Sequence, residues 1–173
     1  MKRILFIFLI GLSLACSSEV APITEVGLSQ EPKIEKNNPA LVQYEVIRVI
    51  DGDTVELKNG ERLRYNDIDT PETVHPSKPI ECFGPEASAK NEELVQGEII
   101  LVEFGNPKKD RYGRLLGYVY VDDLFVNAEL VKGGYAQVNS YGNPGSKIDK
   151  LLDIEKDAKL KMTGLWGVCL NSR

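Results

Sequence analysis

The chain has 173 residues, enough for one domain with a substantial core and too few for two. Its 21 basic and 26 acidic groups leave a formal charge of −5. That is the wrong sign for a protein that grips nucleic acid over its whole surface, so any phosphate recognition has to be local.

Met1-Lys2-Arg3, the apolar run Ile4 to Leu14 and the small residues Ala15-Cys16-Ser17-Ser18 have the three-part form of a secretory signal, which puts a leader at residues 1–15. The apolar run falls short of the roughly 18 residues a spanning helix needs. Cys16 resembles the lipid-modified cysteine of bacterial lipoproteins, with Ser13 where that signal usually carries Leu or another aliphatic residue. Ser13-Leu14-Ala15 also fits a small-x-small cleavage site. Two outcomes stay open, a lipoprotein tethered to a membrane through Cys16 and a freely secreted protein, and both export the chain. Cys82 and Cys169 are then an even pair in an exported protein, without zinc-like spacing, which predicts a disulfide from the C-terminal end to the loop before the first helix.

Residues 16–43 are rich in Glu and Pro and lack apolar periodicity, and they read as a flexible tether with a reach of roughly 30 Å. The folded domain is expected over 44–173. Tyr44 to Ile50 is a β-branched run, and Thr54 to Lys58 alternates apolar and polar as a half-buried strand does. Gly52 permits a tight bend between them. Asn59-Gly60 is a hairpin signal, since a type I′ turn needs positive φ at both central positions, and Arg62 to Ile68 is the returning strand.

Thr73 to Phe83, with Pro76, Pro79 and the single histidine His75, is a loop. Pro85 to about Val95 is a helix that Gly97 ends. Glu98 to Phe104 and Leu115 to Val121 are further strands, separated by the basic loop Gly105 to Gly113. Val126 to Lys132 is a short helix, Tyr135 to Val138 is extended, and Ser146 to Met162 is a surface helix. Ile148, Leu151, Leu152, Ala158 and Met162 form its apolar face and its many charges a solvated one. Five strands with about three helices suggest an α+β, mainly β fold, a five-stranded Greek-key barrel of the OB type, although strand count alone does not distinguish it from other small α+β folds.

Asp53 and Asp69 fall near the ends of neighbouring strands, where the hairpin brings both carboxylates together. Two carboxylates suit a hard cation, calcium above all, and suit zinc poorly because no Cys or His joins them. Asp51-Gly52-Asp53 is also the composition of a plain turn. An EF-hand is excluded, since Val55 occupies a required oxygen-ligand position. Thr70 precedes Pro71 and is pushed out of helical angles, which leaves its carbonyl available as a neutral third ligand. Glu72 is a candidate general base, because an exposed glutamate is ionised at neutral pH. Arg64 and Arg114 are candidate phosphate clamps, since guanidinium forks match phosphate oxygens and stay charged.

Together, Ile50-Asp51-Gly52-Asp53-Thr54-Val55, Arg64 through Ile68-Asp69-Thr70-Pro71-Glu72-Thr73, Phe83-Gly84-Pro85-Glu86-Ala87, Asp110-Arg111-Tyr112-Gly113-Arg114 and Val126-Asn127 resemble the thermonuclease, or staphylococcal-nuclease-like, family. The resemblance covers about Tyr44 to Trp166 with the blocks in the family's order. It implies an OB-fold, calcium-dependent phosphodiesterase, a monomer acting on single-stranded DNA and RNA and on relaxed duplex DNA, which cuts the P–O5′ bond and leaves 3′-phosphates. Matched residue by residue, it implies calcium on Asp53, Asp69 and the Thr70 carbonyl, Glu72 as general base, and Arg64 and Arg114 on the scissile phosphate. Lys78 and Arg111 match positions close to the nucleotide's terminal phosphate.

Two departures stand out. Asn139-Ser140-Tyr141 replaces tyrosines that pack against the nucleotide, with Tyr141 as the substitute. Asn66-Asp67 replaces less polar residues before Ile68 and adds negative charge near the metal. The alternative from another class is a non-catalytic OB-fold module that binds single-stranded nucleic acid. Such a module usually needs a basic groove and stacking aromatics, whereas this chain is acidic with 8% aromatic residues.

Overall fold

The computed structural model describes residues 41–74, 77, 79–142 and 144–169. The leader at 1–15, Cys16, the tether up to residue 40, His75 and Lys78 lie outside the described residues. Among the described residues no helix is long and apolar enough to cross a membrane.

The chain forms β1 (Val42–Val49), β2 (Thr54–Leu57), β3 (Arg62–Tyr65), β4 (Ile68–Asp69), α1 (Gly84–Val95), β5 (Ile99–Lys109) and β6 (Leu115–Val121). β7 (Leu124–Phe125), α2 (Val126–Lys132), β8 (Gln137–Val138), α3 (Ile148–Leu160) and α4 (Leu165–Val168) follow. Strands pair in the order β3-β2-β1-β5-β6, and a parallel pairing of β3 with β6 closes the ring. This is the expected five-stranded barrel of OB type, mainly β with helices packed on it. β7 extends β6, and β4 pairs with β8 in a separate two-stranded sheet.

The core follows from period-two alternation. Val55 and Leu57 of β2, Leu63 and Tyr65 of β3, and Leu115 of β6 are at most 1% exposed. Burying one such Val or Leu side chain is worth about 1.5–3 kcal/mol. Because Leu63 and Tyr65 point inward, Arg64 between them points to the outer face. It is paired with Thr54 on one side and Leu116 on the other.

Four differences from the sequence reading have physical causes. β1 starts two residues early, because Val42 and Gln43 pair with Val102 and Leu101. The expected strand over 62–68 is broken into β3 and β4, with Asp67 at φ 58°. β5 runs on to Lys109 through what was expected to be loop, past an irregularity in its pairing with β6 between Phe104 and Lys109. A fourth short helix, α4, follows the three expected ones.

In α3 the inward face is Leu151, Glu155 and Ala158. Leu152 and Met162, expected to be buried, are about half exposed. Glu155, expected to be solvated, is buried: it accepts the Val138 N–H at 2.9 Å and pairs with Lys159 at 2.7 Å. A helix face is set by angular spacing, and 151, 155 and 158 lie on one stripe whatever their polarity.

Cys82 and Cys169 are bridged as expected, with Cα atoms 5.9 Å apart and a sequence separation of 87. The bridge joins the residue just after α4 to the segment just before α1. A loop of this length is worth about 4–5 kcal/mol in the chain-entropy model. Reduction, or Cys82→Ser with Cys169→Ser, is therefore expected to lower unfolding stability by about 2–5 kcal/mol. Denaturant titration of the oxidised and reduced protein measures this, and an unchanged midpoint would count against it.

Candidate active site

The acidic turn before β2 is built by local hydrogen bonding. Asp51 Oδ1 accepts the Asp53 N–H at 3.0 Å, and the Ile50 and Asp51 N–H groups donate to the Thr54 carbonyl. Gly52 has a steric reason to be glycine: a Cβ there would lie 2.6 Å from Thr70 Oγ1 and 2.8 Å from Thr70 Cβ. Thr70 is thereby seated on Asp53. Its N–H donates to Asp53 Oδ2 at 2.9 Å and its hydroxyl to the same oxygen at 3.2 Å. Asp53 Oδ1 accepts the Thr54 hydroxyl at 3.0 Å and Arg64 Nη1.

Arg64 joins the two carboxylates. Nη1 pairs with Asp53 and Nη2 with Asp69 Oδ1 at 2.7 Å, and Nη2 also reaches the Ile68 carbonyl at 3.3 Å. Burial lowers the guanidinium's proton affinity, but Asp53, Tyr141 and Asp69 outweigh it and hold the pKa above its ordinary value. For Asp53 the balance runs the other way. Burial pushes its carboxyl up to about 7, opposed by Arg64, while Asp51 and Asp69 add like charge. Two carboxylates thus converge where a single guanidinium is the cation between them.

Tyr141 closes over this junction from the loop after β8. Its hydroxyl donates to Asp69 Oδ1 at 2.5 Å and accepts Arg64 Nη2 at 2.9 Å, with the guanidinium carbon 5.3 Å from the ring centroid. Although the ring is exposed, desolvation of the hydroxyl end against Arg64 and Asp69 and the bond to Asp69 push the phenol's pKa up, so it remains a proton donor.

Glu72 lies on the same cleft, of about 1420 Å³, as Arg64, Asp69, Arg111, Arg114 and Tyr141. Its Oε1 accepts the Thr73 and Val74 N–H groups at 3.0 and 2.8 Å, which orients the carboxylate. Its backbone is clasped by Glu81, whose Oε2 accepts the Glu72 N–H at 3.0 Å while the Glu81 N–H donates to the Glu72 carbonyl at 2.9 Å. Gly84 lets α1 begin against this segment, since a Cβ there would lie 2.6 Å from Thr73 Cγ2.

Arg114 is braced by Asp110, with Nε to Oδ2 at 2.7 Å and its N–H to Oδ1 at 3.0 Å. Arg111 stands over the exposed Tyr112 ring at 4.8 Å and donates to the Tyr112 hydroxyl at 2.7 Å. Asp53, Arg64, Asp69, Thr70 and Tyr141 are therefore in one bonded cluster, and Glu72, Arg111 and Arg114 line its cleft on partners of their own.

Among the described residues no group of three or more His, Cys, Asp or Glu side chains is arranged to hold a metal ion by itself. The available donors are two carboxylates and the oxygens of Thr70. All are hard oxygens, and the carboxylate pair already requires a positive charge beside it, so the set fits a hard divalent cation completed by water and substrate. Asp67, whose negative charge the sequence adds near the site, lines the same cleft, and its buried side chain accepts hydrogen bonds from the Tyr118 hydroxyl and the Gly145 N–H.

Sequence reasoning passed over Asn91 and quoted Asn127 only within a motif block, without giving either buried amide a role. Asn91 of α1 accepts the Tyr65 hydroxyl and donates to the Asp51 carbonyl, both at 2.9 Å. Asn127 of α2 donates to the Asn66 carbonyl and accepts the Val119 N–H, both at 2.9 Å. A signal existed for Asn91: it sits between Ala87 and Val95 on the buried stripe of α1 at spacings of four, where an unpartnered amide is costly.

The family model described as "Staphylococcal nuclease homologue" matches residues 62–168. Endonuclease YncB of Bacillus subtilis is 40% identical over 136 residues, which cover 76% of this chain and 64% of that protein. The thermonuclease of Staphylococcus hyicus is 34% identical over 161 residues, covering 91% of this chain and 90% of that protein. The thermonuclease of Staphylococcus intermedius is 38% identical over 127 residues, 71% of this chain and 75% of that protein. The chain spans less than two thirds of YncB and 44% of the B. subtilis prophage endonuclease YokF, at 39% identity. On the matched domain and the coverage of both thermonucleases, the chain belongs to the staphylococcal nuclease homologue family.

Proposed function

We infer that the chain is an exported, calcium-dependent nuclease that hydrolyses DNA and RNA at the P–O5′ bond and leaves 3′-phosphates. The observation that carries this reading is the Asp53–Arg64–Asp69 junction opening on one cleft with Glu72 and Arg114. Asp53, Asp69 and the Thr70 carbonyl would hold the cation. Bound there, calcium would supply Lewis-acid neutralisation of phosphate charge.

The residues of the chain do the rest. The Glu72 carboxylate, oriented by two amide N–H groups, takes a proton from the attacking water. The water oxygen bonds to phosphorus as the P–O5′ bond breaks, so the 5′ oxygen leaves, taking a proton from solvent water to become a hydroxyl, and the phosphate stays on the 3′ side. Arg64 and Arg114 stabilise the charge that grows on the equatorial oxygens. Arg111 and Lys78 serve an adjacent phosphate, and Tyr141 keeps Arg64 and Asp69 in register. The protein acts as a monomer on single strands and on relaxed duplex. The leader and Cys16 support export, either as a membrane-tethered lipoprotein or as a secreted form.

Digestion of single-stranded DNA in calcium and in excess chelator, by wild type and Glu72→Gln, tests this. Cleavage is expected only with calcium, and the substitution should slow it by about 10²–10⁴. Wild type cutting no faster than the chelated control would sink the enzymatic reading in favour of a binding module. Product ends should resist polymerase extension until a phosphatase removes the 3′-phosphate.

Arg64→Ala and Arg114→Ala should each lower kcat by about 10²–10³. Arg64→Ala has a second signature. It leaves two carboxylates without their counter-ion, so calcium should raise the variant's melting temperature more than that of wild type. Equal calcium shifts in calorimetry would contradict the shared position.

A further inference from the structure

Asp67 belongs to none of the groups that handle water or phosphate above, yet the loop carrying Tyr141 closes on it at both ends. Its side chain is buried, 4% exposed, and its backbone is in the left-handed region at φ 58°. Where the chain leaves β8, the Asn139 N–H donates to the Asp67 carbonyl at 3.0 Å. Where it returns, the Gly145 N–H donates to both Asp67 carboxylate oxygens at 3.1 Å. Tyr118 Oη donates to Asp67 Oδ2 and in turn accepts the Lys147 N–H at 3.1 Å, which ties the carboxylate to the entry of α3.

The closure tolerates no side chain at 145, since a Cβ there would lie 2.6 Å from Asn66 Nδ2 and from Asp67 Oδ2. The bend that carries Asp67 is itself pinned. The Asn66 N–H donates to the Gly117 carbonyl at 2.8 Å, and the Asn66 carbonyl accepts Asn127 Nδ2 at 2.9 Å. The same bend leads directly into Ile68-Asp69. One residue thus refers the Tyr141 loop to the strand that bears the carboxylate Tyr141 touches.

We propose that Asp67 is a positioning residue: by gripping both ends of the 139–145 loop it holds the Tyr141 hydroxyl on Asp69 and Arg64, and through them sets how that pair meets the substrate phosphate. The kinetic half of this proposal rests on the nuclease reading above. The clamp itself does not. Tyr141 is exposed in a turn at φ 47°, so its hydroxyl stays at 2.5 Å from Asp69 only while the loop ends are held.

Two substitutions in the whole chain separate this role from general stability. Asp67→Gly removes the carboxylate without strain at positive φ. Asp67→Asn keeps the left-handed conformation accessible and retains one acceptor oxygen. Amide hydrogen exchange and single-stranded DNA cleavage at saturating calcium are measured for both, with and without Tyr141→Phe.

In Asp67→Gly, exchange at Tyr141 and Gly145 should quicken by about tenfold or more, with the amides of β1 to β3 unchanged. kcat/KM should fall about tenfold, the worth of one hydrogen bond to a charged group. Asp67→Asn should recover part of both. In the Tyr141→Phe background, Asp67→Gly should change kcat/KM by less than about twofold, because residues acting as a unit are not additive.

Unchanged exchange in the loop would overturn the clamp. Faster exchange with wild-type kcat/KM, or losses that multiply with Tyr141→Phe, would overturn the link to Tyr141. A wild-type protein that does not cleave would fail the nuclease reading alone, and the exchange data would still decide the clamp.

Discussion

One guanidinium between two carboxylates is the interaction on which the cleft depends. Asp53 is 2% exposed and Arg64 12%, so neither group can fall back on water if the other is lost. Breaking a buried pair by removing one partner costs about 3–5 kcal/mol, far more than the pair is worth against an apolar substitute. The arrangement therefore makes sense as function held by structure. Arg64 supplies the positive charge between Asp53 and Asp69, and it is the residue the proposed chemistry turns toward phosphate.

The barrel sets this junction through ordinary strand geometry. β3 lies between β2 and β6, so Arg64 has Thr54 and Leu116 as neighbours and its backbone has no freedom to shift. Leu63 and Tyr65 lock its direction by filling the core on either side. Polar groups brought inside are spent on the same task. Asn91 fixes the acidic turn, Asn127 fixes the bend after β3, and Glu81 fixes the segment of Glu72 beside the bridged Cys82.

Charge shows the same division between the whole and the part. The chain is acidic, and its cleft carries both signs: four arginines and Lys109 line it beside Glu61, Asp67, Asp69, Glu72 and Asp110. Asp110 pairs with Arg114 and Glu61 with Lys109, so the acidic neighbours orient these cations as well as neutralising them.

The sequence by itself determined the strand and helix order, the barrel class, the disulfide and the set of groups around Asp53, Arg64, Asp69, Glu72 and Arg114. The elements and the disulfide follow from local quantities, namely period-two alternation, turn chemistry and the parity of cysteines, whereas the barrel class and the site set follow from the resemblance of the ordered motif blocks to a known family. Only the tertiary structure decided the break at Asn66-Asp67, the burial of Glu155 and the use of Asp67 to hold the loop of Tyr141. In each case a polar residue looks solvent-facing until its partner is known, and the partner lies far along the chain: Tyr118 and Gly145 for Asp67, Val138 for Glu155. Whether a buried polar group is satisfied depends on which distant donors the fold delivers to it, and no local pattern encodes that.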